Sequence, residues 1–415
     1  MLLSEKAWKR LDTARRIEAG ELTVGEAAKV LGLSLRHTRR VRQRVKAKGK
    51  AGLVHGNRGR RSPRRTATAT VRKVLALAKG KYRGFNDQHM TECLAEDDGV
   101  NLSRSTLRRV LRAEGIAAAR RRRAPKHRRR RDRKPQAGMM IVWDGSPHDW
   151  LEERGPRLCL MGAVDDATSE LLPGAHFVEA ECSAGYLKVL HDIVVEKGIP
   201  LSAYGDQHSS LKRNDDHWTL TEELRGEQDQ TQVGRALKAL EIERIDALSP
   251  QAKGRIERLW GTLQDRLVSE MRKAGVRTIE EANAFLAQYI PRHNRRFAVP
   301  PQDSTPAWRK VHTGLEVGRI CAFTYEATVL NDNTVRIQGR VIDIPPGPGG
   351  RGYAKKRVEV VQRLDGTWWV YWKDAVIAKA AATEVDELRA RRQHKHSAAT
   401  RAFGKAITRI AASLP

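Results

Sequence analysis

The chain has 415 residues, of which 40% are hydrophobic and 31% charged, and its formal net charge is +29 at pH 7. This length predicts roughly two to four domains, and the composition is typical of globular proteins. No apolar run approaches the roughly 18 residues that a membrane helix needs, and the N-terminus lacks the apolar stretch of a signal peptide. The four cysteines lie far apart, without zinc-binding spacing. We therefore expect a cytoplasmic protein with reduced thiols and no membrane partner.

The positive charge is concentrated in the N-terminal third of the chain. Residues 1–136 hold 39 Lys and Arg against 12 Asp and Glu, a net charge of +27, which leaves +2 for the remaining residues. Such a field favours a polyanion, and nucleic acid is the commonest one in cells. The alternative is a basic face that only keeps the protein soluble.

Residues 1–50 are predicted to form a helix-turn-helix DNA-binding domain. Apolar residues recur at helical spacing over 6–19, and Thr23 with Glu26 forms a predicted capping box for a second helix. Gly32 provides the turn, and Ser34 caps a third helix. In that third helix we expect an inward face of Leu35, Thr38, Val41 and Val45. Its outer face presents the basic residues that a recognition helix offers to the major groove: Arg36, His37, Arg39, Arg40 and Arg42.

A second basic region follows. Residues 51–66 are predicted to be a basic linker, and 67–116 a second helix-turn-helix-like domain with Arg104, Arg108, Arg109 and Arg112 exposed. The next segment, 117–137, is an Arg-rich linker with 11 basic residues and one acid between Arg120 and Lys134. Such a run cannot bury itself. We interpret it as a strap along DNA phosphates, through Arg120, Arg121, Arg122 and Arg123; the alternative is a solvated linker.

From Gly138 onward the pattern of hydrophobic and polar residues changes. Residues 138–312 alternate buried-strand runs with amphipathic helices, which predicts a mixed α/β layer fold. In residues 313–382, hydrophobic and polar positions alternate with a period of two, which predicts a small all-β barrel. Residues 383–415 are predicted to form a basic helical tail. The predicted fold is therefore multidomain, with all-α helix-turn-helix units, a central α/β core with a mixed sheet, and a C-terminal all-β barrel.

Acids stand at the ends of two predicted strands. Asp144 follows IVW, and Asp206 follows SAYG. Carboxylates at strand ends collect at the carboxyl edge of an α/β sheet, where sites tend to form. A third acid, Glu257, lies in the predicted helix LSPQAKGRIERLWGTLQDRL, and the three could converge.

Helical periodicity indicates which of the acids in this helix can face the sheet. At about 100° per residue, the buried stripe is predicted to contain Ile256, Leu259, Trp260, Leu263 and Leu267. Glu257 lies on the shoulder of that stripe, where it can lean over the sheet edge, and Asp265 lies on the far face in solvent. The basic residues of the helix become possible DNA contacts, and these are Lys253, Arg255 and Arg258.

The chemistry of the three acids suits a hard cation. Oxygen-only ligands favour Mg²⁺ or Mn²⁺ over zinc. Two such ions about 4 Å apart can activate a nucleophile and stabilise the leaving oxygen of an in-line phosphoryl displacement. We therefore expect two ions per active site.

The motifs WDGSPHDW, AVDDATS, YGDQHSSL and SPQAKGRIERLWGTLQDRL, in this order, resemble the catalytic core of DDE transposases and retroviral-type integrases. The nearest resemblance is to transposases of bacterial insertion sequences of the ISNCY type. It implies an RNase H-like fold with Asp144, Asp206 and Glu257 as the metal-binding catalytic triad. The spacing between Asp206 and Glu257 exceeds that of the family, which fits an insert over 207–231. Trp260 and Gln264 stand where many relatives carry Asn and a basic residue.

The resemblance implies a transposase that binds the terminal inverted repeats of an element and transfers strands into target DNA. The partners would be double-stranded DNA and further copies of the chain, as a homodimer or higher oligomer associated with the bacterial nucleoid. The alternatives are a domesticated, catalytically inactive DNA-binding regulator and an RNase H-like nuclease.

Overall fold

A computed structural model describes residues 4–54, 65–118, 131–213, 218, 220–247, 254–337 and 339–388. The chain divides into two compact units, Met1–Leu75 and Ala76–Pro415. Within the described ranges, no helix combines the length and apolarity needed to cross a membrane.

The first unit contains the predicted helix-turn-helix region. Its helices are α1 (Glu5–Glu18), α2 (Val24–Leu31) and α3 (Leu35–Lys48), and α4 (Thr68–Lys79) begins in this unit. The predicted capping box of Thr23 and Glu26 is present. Ser34 caps α3 by accepting a hydrogen bond from the His37 amide at 3.3 Å. Gly32 ends α2 with φ +61°, in the left-handed region that glycine adopts without strain.

The inward face of α3 is predicted correctly except at its start. Thr38 and Val41 are buried and Val45 is half-buried. Leu35, however, is 51% exposed. Leu35 is the first residue of α3, so it lies at the N-terminal end of the helix, before the turns that carry Thr38 and Val41 into the core.

Two further helices, α5 (Asp87–Asp98) and α6 (Arg104–Ala113), form the second helical segment. Ser103 caps α6 by accepting a hydrogen bond from the Thr106 amide at 3.2 Å. The prediction that Arg112 is exposed is wrong. Its guanidinium donates to both carboxylate oxygens of Asp87, at 2.7 and 3.0 Å, and to the Ile116 carbonyl, because α5 and α6 pack against each other.

A five-stranded mixed sheet forms the centre of the second unit, as expected. The strand order is β3-β2-β1-β4-β5; β1, β2 and β3 pair antiparallel, whereas β1, β4 and β5 pair parallel. The strands are β1 (Ile141–His148), β2 (Leu158–Asp165), β3 (His176–Val178), β4 (Ser202–Gly205) and β5 (Glu243–Asp246). The helices of this region are α7 (Ser183–Glu196), α8 (Leu220–Arg225), α9 (Gln232–Ala239), α10 (Gly254–Ala274) and α11 (Ile279–Phe297).

Each face of the sheet is covered by helices. Ile141 and Trp143 of β1 belong to the apolar cluster that includes residues of α7 and α9. Val142 belongs to the opposite cluster, which includes residues of α10 and α11. Successive side chains along a strand point to opposite faces of the sheet. In β1 and β4, every second residue therefore faces the same set of helices.

The C-terminal region is all-β, but the predicted barrel is not confirmed. Its described residues contain α12 (Val317–Ile320) and six strands in two sheets, one of order β11-β10-β9-β6 and one hairpin of β7 and β8, and neither sheet closes. The strands are β6 (Phe323–Thr328), β7 (Thr334–Ile337), β8 (Arg340–Asp343), β9 (Arg357–Gln362), β10 (Trp368–Trp372) and β11 (Ala375–Ala380). Of the predicted helical tail, residues 383–388 are not helical, and 389–415 lie outside the described residues.

Candidate active site

Asp144, in the interior of β1, and Asp206, the first residue after β4, are brought level by parallel pairing of the two strands. Ile141 pairs with Ala203 and Val142 with Tyr204, and the same register carried two residues further brings Asp144 level with Asp206. Val142 and Tyr204 belong to the cluster under α10. By the alternation of side chains along β1, Asp144 also faces α10, and Asp206 follows directly after β4.

Helix α10 crosses the sheet at the level of Asp144. The predicted buried stripe from Ile256 to Leu267 is buried in the structure. A Cβ placed on Gly162, the residue paired with Asp144, would lie 3.2 Å from the Trp260 ring. Gln264 donates to the hydroxyl of Ser146 at 3.2 Å. Glu257 lies one turn before Trp260, in the first turn of α10, and is exposed.

A fourth carboxylate, Glu181, lies close to Gly145 of β1 and to the residues that follow β4. Its Oε1 accepts a hydrogen bond from the Tyr186 hydroxyl at 2.5 Å and lies 3.6 Å from His208 Nδ1. The His208 amide in turn donates to Asp206 Oδ1 at 2.9 Å. A Cβ on Gly145 would lie 2.5 Å from Glu181 Oε2, so a side chain after Asp144 would require this carboxylate to move.

Sequence reasoning missed Glu181 because no local pattern marks it. It lies in the connection between β3 and α7, and neither strand-end position nor helical spacing singles it out. Only the packing of Tyr186 beneath β1 brings it to the aspartates. The one signal in the sequence is Gly145 beside Asp144, which leaves room for the Glu181 carboxylate to approach β1.

The electrostatics of this edge favour a cation. Burial, and then the negative charges of Glu181, Asp144 and Asp206, hold the pKa of the Tyr186 phenol far above its ordinary value. Three carboxylates therefore act on a single buried hydroxyl. Carboxylates that crowd together repel, and a divalent cation relieves this repulsion. The donor set is oxygen-only, which fits Mg²⁺ or Mn²⁺.

Asp165 and Asp166, at the end of β2, have structural partners. Asp165 accepts hydrogen bonds from the amides of Gly138, Ala167 and Thr168 and so holds the turn that follows β2. Asp166 binds the guanidinium groups of Arg131 and Arg255. Asp165 therefore serves the turn, whereas Asp166 ties the end of the Arg-rich linker to α10.

The predicted DNA contacts fall into three groups. Most of those in described residues are exposed: Arg36, His37, Arg39, Arg40, Arg104, Arg108, Arg109 and Arg258. Two are held in ion pairs, Arg42 with Glu18 at 2.6 Å and Arg255 with Asp166 at 2.7 Å. The others lie outside the described residues: Arg120, Arg121, Arg122, Arg123 and Lys253.

The far face of α10 is not in solvent, contrary to the prediction for Asp265. Asp265 is half-buried and accepts a hydrogen bond from Asn86. Arg266 is buried and donates to Glu92 of α5 at 2.6 Å. The sequence could not show this because helical periodicity identifies one apolar face, whereas the second face of α10 is buried through hydrogen bonds and ion pairs against α5.

A buried polar cluster lies at the same junction. His89 Nε2 lies 2.8 Å from Glu270 Oε1, and the Cys93 thiol donates to the same oxygen at 3.4 Å. The three could ligate a metal by their spacing. However, Lys273 and Arg292 already balance the Glu270 carboxylate, at 2.8 and 3.3 Å. Burial also raises the pKa of the Cys93 thiol to about 12, which disfavours the thiolate that a metal requires. We therefore assign this cluster to packing.

Acid is expected to weaken this junction through Glu270. Burial alone would raise its pKa, but hydrogen bonds from His89 and Lys273 outweigh burial and hold the pKa far below the ordinary value. A depressed folded-state pKa stabilises the fold fully above the unfolded pKa of about 4.3, and this stability is lost as the pH falls below that value.

Glu270→Gln should therefore lower the free energy of unfolding at pH 7 and make its decline below about pH 5 shallower. Urea unfolding at a series of pH values measures both effects, with Glu280→Gln at an exposed position of α11 as the matched control. An unchanged slope in Glu270→Gln would show that another group carries the acid sensitivity.

Comparison with known proteins places the chain in a family. A model described as winged helix-turn helix matches residues 10–72. The chain is 33% identical over 372 residues to the putative transposase y4bF of Sinorhizobium fredii, covering 89% of this chain and 80% of that protein. It is 30% identical over 412 residues to the transposase for insertion sequence IS1202 of Streptococcus pneumoniae, covering 89% and 84% respectively. The chain belongs to the family of insertion-sequence transposases.

Among solved structures, the chain is similar to the cryo-EM structure of the simian T-cell lymphotropic virus intasome in complex with the PP2A regulatory subunit B56 gamma. The two are 14% identical with a TM-score of 0.31, over 77% of this chain and 100% of that one.

Proposed function

We propose that the chain is a metal-dependent DNA strand-transferase that binds the terminal inverted repeats of its element, cleaves at the element ends and joins them to target DNA. The observation that carries this proposal is the parallel register that brings Asp144 level with Asp206, together with the packing of α10 on the sheet beside Asp144, one turn after Glu257. Family membership supplies the reaction class.

In this proposal Asp144, Asp206 and Glu257 hold two Mg²⁺ or Mn²⁺ ions. When bound, the ions would supply activation of the attacking hydroxyl and stabilise the leaving oxygen of the phosphodiester. The protein's own part is to fix the acids. Parallel strand pairing sets the two aspartates level with each other, and the packing of Trp260 on β2 and of Gln264 on β1 fixes the turn that carries Glu257. Because joining two ends needs two active sites, we propose that the working form is a homodimer or larger.

The test is strand transfer by the full chain on duplexes taken from the DNA that flanks its coding sequence. We expect joined product with Mg²⁺ and none with EDTA. Binding without nicking would favour an inactive DNA-binding regulator, and hydrolysis without joining would favour an RNase H-like nuclease. Either result contradicts the proposal.

Recognition of the element ends is proposed to depend on α3. Arg39→Ala should reduce the preference for end DNA over random DNA by on the order of tenfold, because one good base contact discriminates by about 1–3 kcal/mol. Arg42→Ala should reduce this preference less, since Glu18 already pairs with the Arg42 guanidinium. Fluorescence anisotropy at several salt concentrations measures both, with Lys9→Ala on α1 as a control of equal charge. Equal losses on end and random DNA would assign Arg39 to phosphate contact only.

A further inference from the structure

A cavity of about 540 Å³ lies beside α10, and its lining residues do not include Asp144, Asp206 or Glu257. Its α10 wall is formed by Arg255, Arg258, Leu259 and Thr262. At about 100° per residue, these positions lie on the shoulder of the buried stripe opposite to Glu257. The volume falls within the range of about 300–1,000 Å³ that small-molecule sites occupy.

One wall of the cavity is formed by a buried histidine whose ring nitrogens lack hydrogen-bond partners among the described residues. His293 of α11 is 2% exposed, and within the described part of the chain neither of its ring nitrogens has a hydrogen-bond partner. Burial, and then the charge of Arg266, lower its pKa to about 4, so the ring is neutral at pH 7. A neutral imidazole offers one donor and one acceptor. Both nitrogens are closed off from solvent, so a ligand must open this wall of the cavity to supply the partners that buried polar groups nearly always have.

The other walls combine apolar surface with positive charge. Val164, Leu259 and the Phe297 ring line the cavity, and the ring centroids of Phe297 and His293 are 4.7 Å apart. Four guanidinium groups line it too, those of Arg131, Arg133, Arg255 and Arg258. The carboxylates that oppose them are those of Asp132, in the lining, and Asp166, which pairs with Arg131 and Arg255, so the local charge is +2.

These features describe one kind of ligand. A planar heteroaromatic ring with donors and acceptors on its edge matches His293 and Phe297, and an anion suits the guanidinium groups, which bind phosphate by paired hydrogen bonds. We propose that this cavity binds a nucleotide, with the base against His293 and Phe297 and the phosphate beside Arg258.

The nucleotide could come from DNA, as an unpaired residue of the bound substrate, or from the free nucleotide pool. The first source rests on the proposed function, because it requires DNA at the core. Both sources present the same base and phosphate, so the experiment has one arm for each. Both arms contain EDTA, which prevents strand transfer, so that a failure of catalysis and a failure of this site are distinguishable.

In the first arm, the full chain is titrated into two duplexes that differ only by one unpaired 2-aminopurine nucleotide. We expect the wild type to bind the unpaired duplex on the order of tenfold more tightly, the effect of one stacked base, and to change the probe's fluorescence. His293→Leu removes both ring nitrogens at similar volume, and it should abolish the preference while leaving affinity for the paired duplex unchanged. His312→Leu, at an exposed position, is the control and should retain the preference.

In the second arm, dAMP and inorganic phosphate are titrated against the wild type, His293→Leu and Arg258→Ala. Binding of dAMP that both variants weaken, with no preference between the duplexes, would support the nucleotide site and assign its ligand to the free pool. Arg258 is exposed, so this variant keeps the test open should His293→Leu fail to fold. The proposal is overturned if the wild type shows neither duplex preference nor dAMP binding, or if His293→Leu and Arg258→Ala alter neither.

Discussion

Asp144→Asn, Asp206→Asn and Glu257→Gln are each expected to reduce strand transfer by roughly 10³-fold or more. Each change removes one negative charge and one strong oxygen ligand while preserving the shape of the side chain. Bound metal ions stabilise the charge of a phosphoryl transition state by several kcal/mol, and each 1.36 kcal/mol corresponds to about tenfold in rate. Joining of labelled end DNA with Mg²⁺, followed on denaturing gels, is the measurement.

Asp265→Asn is the matched control for this series. It makes the same change on the same helix, but Asp265 lies against Asn86 rather than at the sheet edge. We expect it to join DNA at close to the wild-type rate, and all four variants to bind end DNA as the wild type does. Joining that survives in any of the three variants would remove that acid from the proposed triad and direct attention to Glu181.

Glu92→Ala is expected to lower the free energy of unfolding by about 3 kcal/mol or more, because removing one member of a buried ion pair leaves the other charge uncompensated. The side chains of Glu92 and Arg266 are 8% and 10% exposed and 2.6 Å apart. Arg296 also contacts Glu92, at 2.6 Å. Burial alone would raise the pKa of Glu92, but hydrogen bonds from Arg266 and Gln88 outweigh it and lower that pKa. Urea unfolding followed by circular dichroism measures the loss.

An exposed ion pair in the same helical segment provides the comparison. Lys79 and Glu114 are 3.4 Å apart with side chains 61% and 47% exposed, and Glu114→Ala should cost less than about 1 kcal/mol. Replacing Glu92 and Arg266 together by Met should recover much of the loss, because no charge is then left buried alone. If Glu92→Ala costs no more than Glu114→Ala, the junction between α5 and α10 is held by apolar packing instead.

Local patterns predicted the parts of this molecule whose cause is local. The Thr23 capping box, the Ser34 cap and the buried stripe from Ile256 to Leu267 follow from hydrogen-bonding residues and helical spacing, and all are present. The five strand runs of the core also appear in one mixed sheet. Asp206 follows the last residue of β4, as the strand-end argument expects, whereas the same prediction is wrong for Asp144, because β1 continues to His148 through its pairing with β2.

What escaped prediction depends on contacts between distant segments. Glu181 reaches the sheet edge only because Tyr186 packs beneath β1, and Asp265 is covered only because Asn86 lies against it. The predicted barrel was not found because alternation identifies strands but not which edges pair. Tyr186 is close to Glu181 in the sequence, but it packs against Trp143 of β1, which lies far away along the chain, as Asn86 does from Asp265; no local window contains these contacts.

The junction between α5 and α10 has a geometric consequence. Helix α10 carries Glu257 near one end and is joined along its far face to α5, which in turn holds α6 through Asp87 and Arg112. The exposed arginines of α6, Arg104, Arg108 and Arg109, are therefore set at a fixed distance from the acidic edge. DNA that lies on α6 would meet the acids a constant number of base pairs away. In the proposed reaction, the second helical segment would then set the distance between the DNA it contacts and the position of the cut, independently of the length of the linker that precedes it.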